Sequence, residues 1–137
     1  MTQSFLIIIA RILFAAVFAV AAWFKFTDMA GTAGYISSVG LPMPVVLAWL
    51  AAIFEVALVI AFLTGAFFSE AALLAAVYVL FLGIAFHGPS HWPGNQLEFG
   101  LFVNHLNFIG GLLFAAIHGP GSTWAAGPRL LWRHSNA

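Results

Sequence analysis

Four long apolar stretches, separated by short polar segments, dominate the pattern of the chain. Each is about twenty residues long, the length that an α-helix needs to cross the hydrocarbon core of a bilayer. The pattern predicts an all-α integral membrane protein, a four-helix bundle with spans at about residues 5–26, 44–64, 69–87 and 98–118. Residues 28–43 are too polar to span and favour a short amphipathic helix at the membrane interface. Residues 119–137, with Arg and Trp, are predicted to be an interfacial tail.

The composition agrees with a membrane protein. Of the 137 residues, 64% are hydrophobic and only 6% are charged, whereas a soluble domain is about half apolar and about a quarter charged. The length fits a single domain, residues 1–137. A net charge of zero gives no electrostatic basis for binding nucleic acid, which requires a basic surface. The absence of Cys excludes a disulfide or a dithiol redox relay within this chain.

The distribution of basic residues predicts the orientation in the membrane. Four spans place both termini on one side, and the Lys and Arg residues clearly outside the spans are Arg129 and Arg133 in the tail. The positive-inside rule therefore predicts cytoplasmic termini, with residues 28–43 and 88–97 on the outer face. The N-terminal segment lacks the basic region of a cleaved signal peptide, so we expect it to be retained as the first span.

Two charged residues lie well inside the predicted spans, away from the ends, Arg11 in the first and Glu55 near the middle of the second. A carboxylate at that depth costs about 3 kcal/mol on insertion scales, so it should face a partner and not lipid. At about 1.5 Å rise per residue, Arg11 lies about 10 Å and Glu55 about 13 Å from the same membrane face. The similar depths predict a bidentate Arg–carboxylate pair, which either fixes helix packing or handles a ligand or protons.

A second group of polar residues lies at the outer ends of the predicted spans. Lys25 ends the first span, His87 ends the third, and Glu98 begins the fourth. His105 follows Glu98 by seven residues, which places both on one helix face about 10 Å apart, and Asn104 lies beside that face. Polar groups at one level of a membrane need compensation. They predict either a ligand-binding pocket or a mutually hydrogen-bonded network between helices.

Neither a metal nor a haem is expected as a cofactor. His87 and His91 are four residues apart, but a Gly-Pro pair between them breaks the helix that would align them, so no HxxxH or HExxH helix exists. Haem ligation by His105 would need an opposing histidine at the same depth, whereas His118 lies at the cytoplasmic end of its span.

Several short motifs occur in an order that resembles the DoxX family of small four-helix membrane proteins. They are Arg11 early in the first span, Lys25-Phe26 near its end, SVGLP at residues 38–42, and Glu55 before Gly65. The resemblance covers about residues 5–114, and alanines stand here where the family's first helix commonly has glycines. It implies association with a membrane redox system, because the family is named for a membrane subunit of thiosulfate:quinone oxidoreductase. It also implies location in the bacterial inner membrane.

These observations lead to one functional hypothesis and two alternatives. The hypothesis is a quinone-binding membrane subunit, without a redox centre of its own, that anchors an extramembrane oxidoreductase partner. In it, Glu55 with Arg11, or His105 with Lys25 and Glu98, supplies hydrogen bonds and protons to the quinone. One alternative is a non-enzymatic scaffold or assembly subunit whose ion pair only pins the helices. The other is a small proton-coupled transporter, whose four spans would need a homo-oligomer.

Overall fold

The computed structural model describes residues 2–127 and 130–131. Within these residues the chain is helical and contains no strand. The helices are α1 (Thr2–Thr27), α2 (Met29–Ser38), α3 (Pro44–Thr64), α4 (Phe68–His87) and α5 (Gln96–His118), with a 3₁₀ turn at Pro89–His91. Of these, α1, α3, α4 and α5 are long and apolar enough to cross a membrane, which confirms the predicted spans.

Local signals set most helix ends. Pro44 occupies the first turn of α3, where a missing N–H costs nothing, and Gly65 ends the helix with a left-handed φ of 75°. The Asn95 side chain caps α5, so this helix begins at Gln96, two residues before the predicted start. Helix α1 begins at Thr2, three residues earlier than predicted, because polar residues do not by themselves stop a helix.

The chain forms two compact units. The first unit contains residues 1–66 and 120–127, and therefore α1, α2 and α3. The second unit contains residues 67–119 and 128–137, and therefore α4, the 3₁₀ turn and α5. Each unit is a pair of candidate spans joined through a short helical connection. The predicted basic residues of the tail, Arg129 and Arg133, lie outside the described residues.

In the first unit, α1 packs against α3, and α2 packs against α3 as well. The contacting face of α1 repeats at alternating intervals of four and three residues: Arg11, Ala15, Phe18, Ala22 and Lys25. The buried face of α3 consists of Ala48, Ala52, Glu55, Leu58 and Phe62. The alanines let the helix backbones approach closely, and Phe18 stacks on Phe62 with ring centroids 5.9 Å apart.

In the second unit, α4 packs against α5. A stripe of buried residues runs along α4: Phe68, Ala72, Ala75, Val79, Gly83 and Phe86. Helix α5 buries Leu112 and Ala116. This antiparallel pair brings the end of α4 next to the first turns of α5, and the polar residues of the second unit meet there.

Candidate functional site

His87 and Glu98 form a hydrogen-bonded pair where α4 ends and α5 begins. Helix α4 stops at His87 because Gly88 is extended and Pro89 cannot continue the helix. The connection then folds back, and Trp92 Nε1–H donates to the carbonyl of His87 at 2.8 Å. Glu98 lies in the first turn of α5, and its Oε2 accepts from His87 Nδ1 at 2.6 Å.

His105 extends this pair two turns deeper along α5. Its ring centroid lies 5.2 Å from that of His87, with the planes tilted by 48°. The close approach depends on Gly83, because a Cβ atom at that position would lie 3.2 Å from His105 Cβ. His87, Glu98 and His105 are called the histidine cluster below. Of the polar residues predicted to lie at the outer ends of the spans, these three are the ones in contact through His87.

Aromatic rings flank the histidine cluster on its loop side. The ring of Trp92 meets Phe99 edge-on at a centroid distance of 5.2 Å and packs against Phe102 at 5.3 Å. The cluster itself is half-buried, since the side chains of His87 and Glu98 are 16% and 22% exposed. It therefore combines apolar walls, hydrogen-bonding groups and limited access to water.

The hydrogen bonds assign the proton positions on both rings. His105 Nδ1 lies 2.8 Å from the carbonyl oxygen of Leu101. A carbonyl only accepts, so Nδ1 carries the hydrogen. His87 Nδ1 faces a carboxylate and likewise donates when that carboxylate is ionised. In the neutral form of each ring, Nε2 is then the unprotonated nitrogen and the available acceptor.

Glu55, in the first unit, is paired with Lys25 and not with Arg11, so the predicted Arg11–Glu55 pair is wrong. Lys25 Nζ lies 2.8 Å from Glu55 Oε1, and the Glu55 side chain is only 1% exposed. The lysine side chain runs back along α1, with Nζ also 3.4 Å from the carbonyl of Ala21. The ammonium group of Lys25, near the end of α1, thus reaches the carboxylate of Glu55 in the middle of α3.

Arg11 binds main-chain carbonyl groups. Its Nε–H donates to Phe62 at 3.0 Å, and its terminal nitrogens donate to the carbonyls of Leu63, Pro120, Thr123 and Trp124. The first two carbonyls belong to the last turn of α3, where helix carbonyls lack intrahelical partners. Arg11 therefore caps α3 from a neighbouring helix and holds residues 120–124 against it.

Unequal helix lengths explain the error in pairing. Helix α1 has 26 residues and α3 has 21, about 39 Å against about 31 Å. The C-terminal end of α3 does not reach the level of the N-terminus of α1. Its last turn lies beside Arg11, the tenth residue of α1. Glu55 comes seven residues before Phe62 in α3, about 10 Å farther along the axis, beyond the reach of that guanidinium.

The remaining predicted site residues are not in the histidine cluster. Lys25 belongs to the first unit and is committed to Glu55. Asn104 is on the exposed face of α5. The sequence analysis missed Gly83, whose role depends on a contact between helices. The sequence signal for it is limited to a glycine inside an otherwise apolar span.

Comparison with known proteins gives a consistent result. A sequence model of the DoxX family matches residues 6–88. The chain is 33% identical over 119 residues to the inner membrane protein YqjF of Escherichia coli, covering 85% of each chain. It is 32% identical over 121 residues to the inner membrane protein YphA of the same organism, again covering 85% of each. No solved structure matches the chain.

Proposed function

We propose that this chain, which belongs to the DoxX family of membrane proteins, is a membrane subunit of a redox system that binds a quinone-type electron carrier at the histidine cluster. The observation that carries the proposal is the placement of His87 between Glu98 and His105, at 2.6 Å from the carboxylate and 5.2 Å from the second ring. Two imidazoles and a carboxylate where two apolar helices meet form a group suited to proton exchange.

The chemistry of a quinone fits the surroundings of this cluster. A quinone has a flat apolar ring with polar oxygens at its ends, and small-molecule sites commonly combine apolar walls with a few polar groups. Trp92, which is bonded to the His87 carbonyl and packs against Phe102, supplies aromatic surface beside the cluster. Reduction or oxidation of the carrier moves protons, which imidazole exchanges readily near neutral pH. The partly exposed Glu98 gives those protons access to water.

The charged residues of the first unit fit a structural role better. Arg11 has five N–H donors, and five carbonyl oxygens accept from them, so no donor is left for a ligand. Lys25 and Glu55 are bound to each other. These contacts favour a purely structural role for the charged residues of the first unit. The histidine cluster of the second unit is the better candidate for binding a ligand.

The proposal includes an extramembrane oxidoreductase partner. A quinone exchanges electrons as well as protons, and this cysteine-free chain offers no thiol redox centre. The electrons would therefore pass between the carrier and a redox centre of the partner. The chain would supply the membrane location, the binding site and the proton route.

Quinone carried through purification tests the proposal. The protein is purified in mild detergent, its lipids are extracted, and quinone is quantified per polypeptide for the wild type, His105→Phe and His118→Phe. His118 is a matched control, because its Nδ1 also donates to the carbonyl four residues earlier, at 2.9 Å, but it is exposed at the opposite end of α5.

We expect about one carrier molecule per chain, counted as quinone plus quinol, in the wild type and in His118→Phe, and a loss of at least about tenfold in His105→Phe, the effect of removing one good hydrogen bond. Folded wild-type protein that carries no quinone would contradict the proposal and favour the scaffold alternative. Equal retention by both variants would place the carrier elsewhere.

A further inference from the structure

We infer that the histidine cluster selects the reduced carrier, a quinol, which it binds through a hydroxyl group, over the oxidised quinone with its carbonyl groups. The inference rests on the proposed function and makes it more specific. It follows from the direction of each hydrogen bond at the cluster, because a quinone carbonyl can only accept, whereas a quinol hydroxyl can also donate.

His105 offers an acceptor and no donor when it is neutral. Its single N–H is on Nδ1 and is used by the carbonyl of Leu101 at 2.8 Å. That carbonyl comes four residues earlier in the same helix, so the bond is built into α5 and fixes the tautomer. The ring nitrogen left for a ligand is Nε2, whose lone pair can receive a hydroxyl hydrogen but cannot bind a carbonyl oxygen.

His87 also presents an acceptor nitrogen to a ligand, but for a different reason. Its Nδ1–H points to Glu98 Oε2 at 2.6 Å, which again leaves Nε2 as the acceptor. The carboxylate stabilises this tautomer, as in carboxylate–histidine pairs elsewhere. The two rings, 5.2 Å apart, therefore both present acceptor nitrogens.

The other polar groups that contact His87 add no free donor. The indole N–H of Trp92, the donor packed beside the histidines, is committed to the carbonyl of His87 at 2.8 Å. Glu98 accepts when ionised. A quinone carbonyl brought to the neutral cluster would lose its hydrogen bonds to water without replacement, whereas a quinol hydroxyl would regain one.

The test compares the two redox forms of one carrier. The full-length chain is placed in lipid nanodiscs free of quinone, without oxygen and at about pH 8. Dissociation constants are measured by equilibrium partition for decylubiquinol and decylubiquinone. One additional hydrogen bond predicts about tenfold tighter binding of the quinol by the wild type.

Two variants check the origin of the preference. His105→Gln supplies an amide N–H donor and should bring the ratio of the two dissociation constants to about one or reverse it, while His118→Gln should keep the wild-type ratio. His87→Gln replaces His105→Gln if the latter does not elute as folded protein. Quinone bound as tightly as quinol by the wild type would overturn the inference and leave the proposed function standing. Failure of both forms to bind would contradict the proposed function itself.

Discussion

Arg11 shows how a buried cation is accommodated without a carboxylate. The residue is only 3% exposed, yet each of its N–H groups meets a carbonyl oxygen. These carbonyls come from the end of α3 and from residues 120–124, two segments whose main-chain acceptors would otherwise be unsatisfied. The guanidinium thus connects three parts of the first unit through its planar fork of donors.

This arrangement predicts that Arg11→Lys is not conservative. A lysine keeps the charge but has three donors on a single atom, so it cannot reach both the end of α3 and Thr123. We expect a loss of about 2–4 kcal/mol in the free energy of unfolding, from carbonyls left unpaired. Thermal or denaturant unfolding in detergent measures it. A variant as stable as the wild type would show that charge alone matters at this position.

The Lys25–Glu55 pair predicts strong non-additivity. Lys25→Met leaves the buried Glu55 carboxylate without its salt-bridge partner, which typically costs about 3–5 kcal/mol, whereas Glu55→Leu leaves the partly exposed Lys25 ammonium and should cost less. The double variant removes both charges and should be more stable than either single variant. A double-mutant cycle of unfolding free energies tests this coupling. Additive losses would mean that the two side chains do not depend on each other.

At the level of helices, the contact of α4 with α5 is set by Gly83. A methyl group at this position would press on His105, with 3.2 Å between the two Cβ atoms and 3.3 Å to Cγ. Gly83 therefore fixes the distance at which the two helices meet, and with it the position of the second imidazole. The histidine cluster therefore requires a residue without a side chain at position 83.

Gly83→Ala should accordingly displace His105 and destabilise the second unit by about 1–3 kcal/mol, the usual cost of overpacking. The control is Gly100→Ala in α5, where an added Cβ has no neighbour within 4 Å. This control should be neutral or gain up to about 1 kcal/mol from helix propensity. Unfolding measurements on both variants, with carrier binding as a second readout, compare them. Equal behaviour of the two alanines would contradict the close contact.

The elements were predictable because their signals are local. Span length and hydropathy gave α1, α3, α4 and α5 within about three residues, the usual uncertainty of helix ends. The spacing of Glu98 and His105 on one helix face, with His87 at the preceding helix end, indicated a polar group at this level, although the prediction also included Lys25 and Asn104. The Gly83 contact was not predictable, because it depends on how two helices meet, and the Trp92–His87 bond depends on the fold of the irregular connection after α4.

The partner of Glu55 was not predictable for the same reason. Depth along a helix can be counted from the sequence, but the stagger between two helices cannot. When α3 is shifted along α1 by a few residues, Lys25 replaces Arg11 as the cation nearest to Glu55. The long side chain of Lys25 also helps it to reach the carboxylate. The sequence was enough to predict that Glu55 has a cationic partner. The structure was needed to identify that partner as Lys25.

At the scale of the whole molecule, the predicted orientation is open to a direct test, since the chain contains no Cys. Ser90 lies in the 3₁₀ turn between α4 and α5, Ser122 follows α5, and both are exposed. With cytoplasmic termini, a membrane-impermeant maleimide should label Ser90→Cys in intact spheroplasts and Ser122→Cys only after permeabilisation. The reverse pattern would invert the orientation and place the histidine cluster at the cytoplasmic face.

The central claim is that a quinone-type carrier binds at the histidine cluster, and photo-crosslinking tests it most directly. A quinone analogue with a diazirine on its ring is activated on the purified protein, and the modified peptides are identified by mass spectrometry with and without excess decylubiquinol. We predict competed modification within residues 83–105, around His87 and His105. Competed modification confined to the helices that carry Lys25 and Glu55, or modification that excess quinol does not reduce, would contradict the claim.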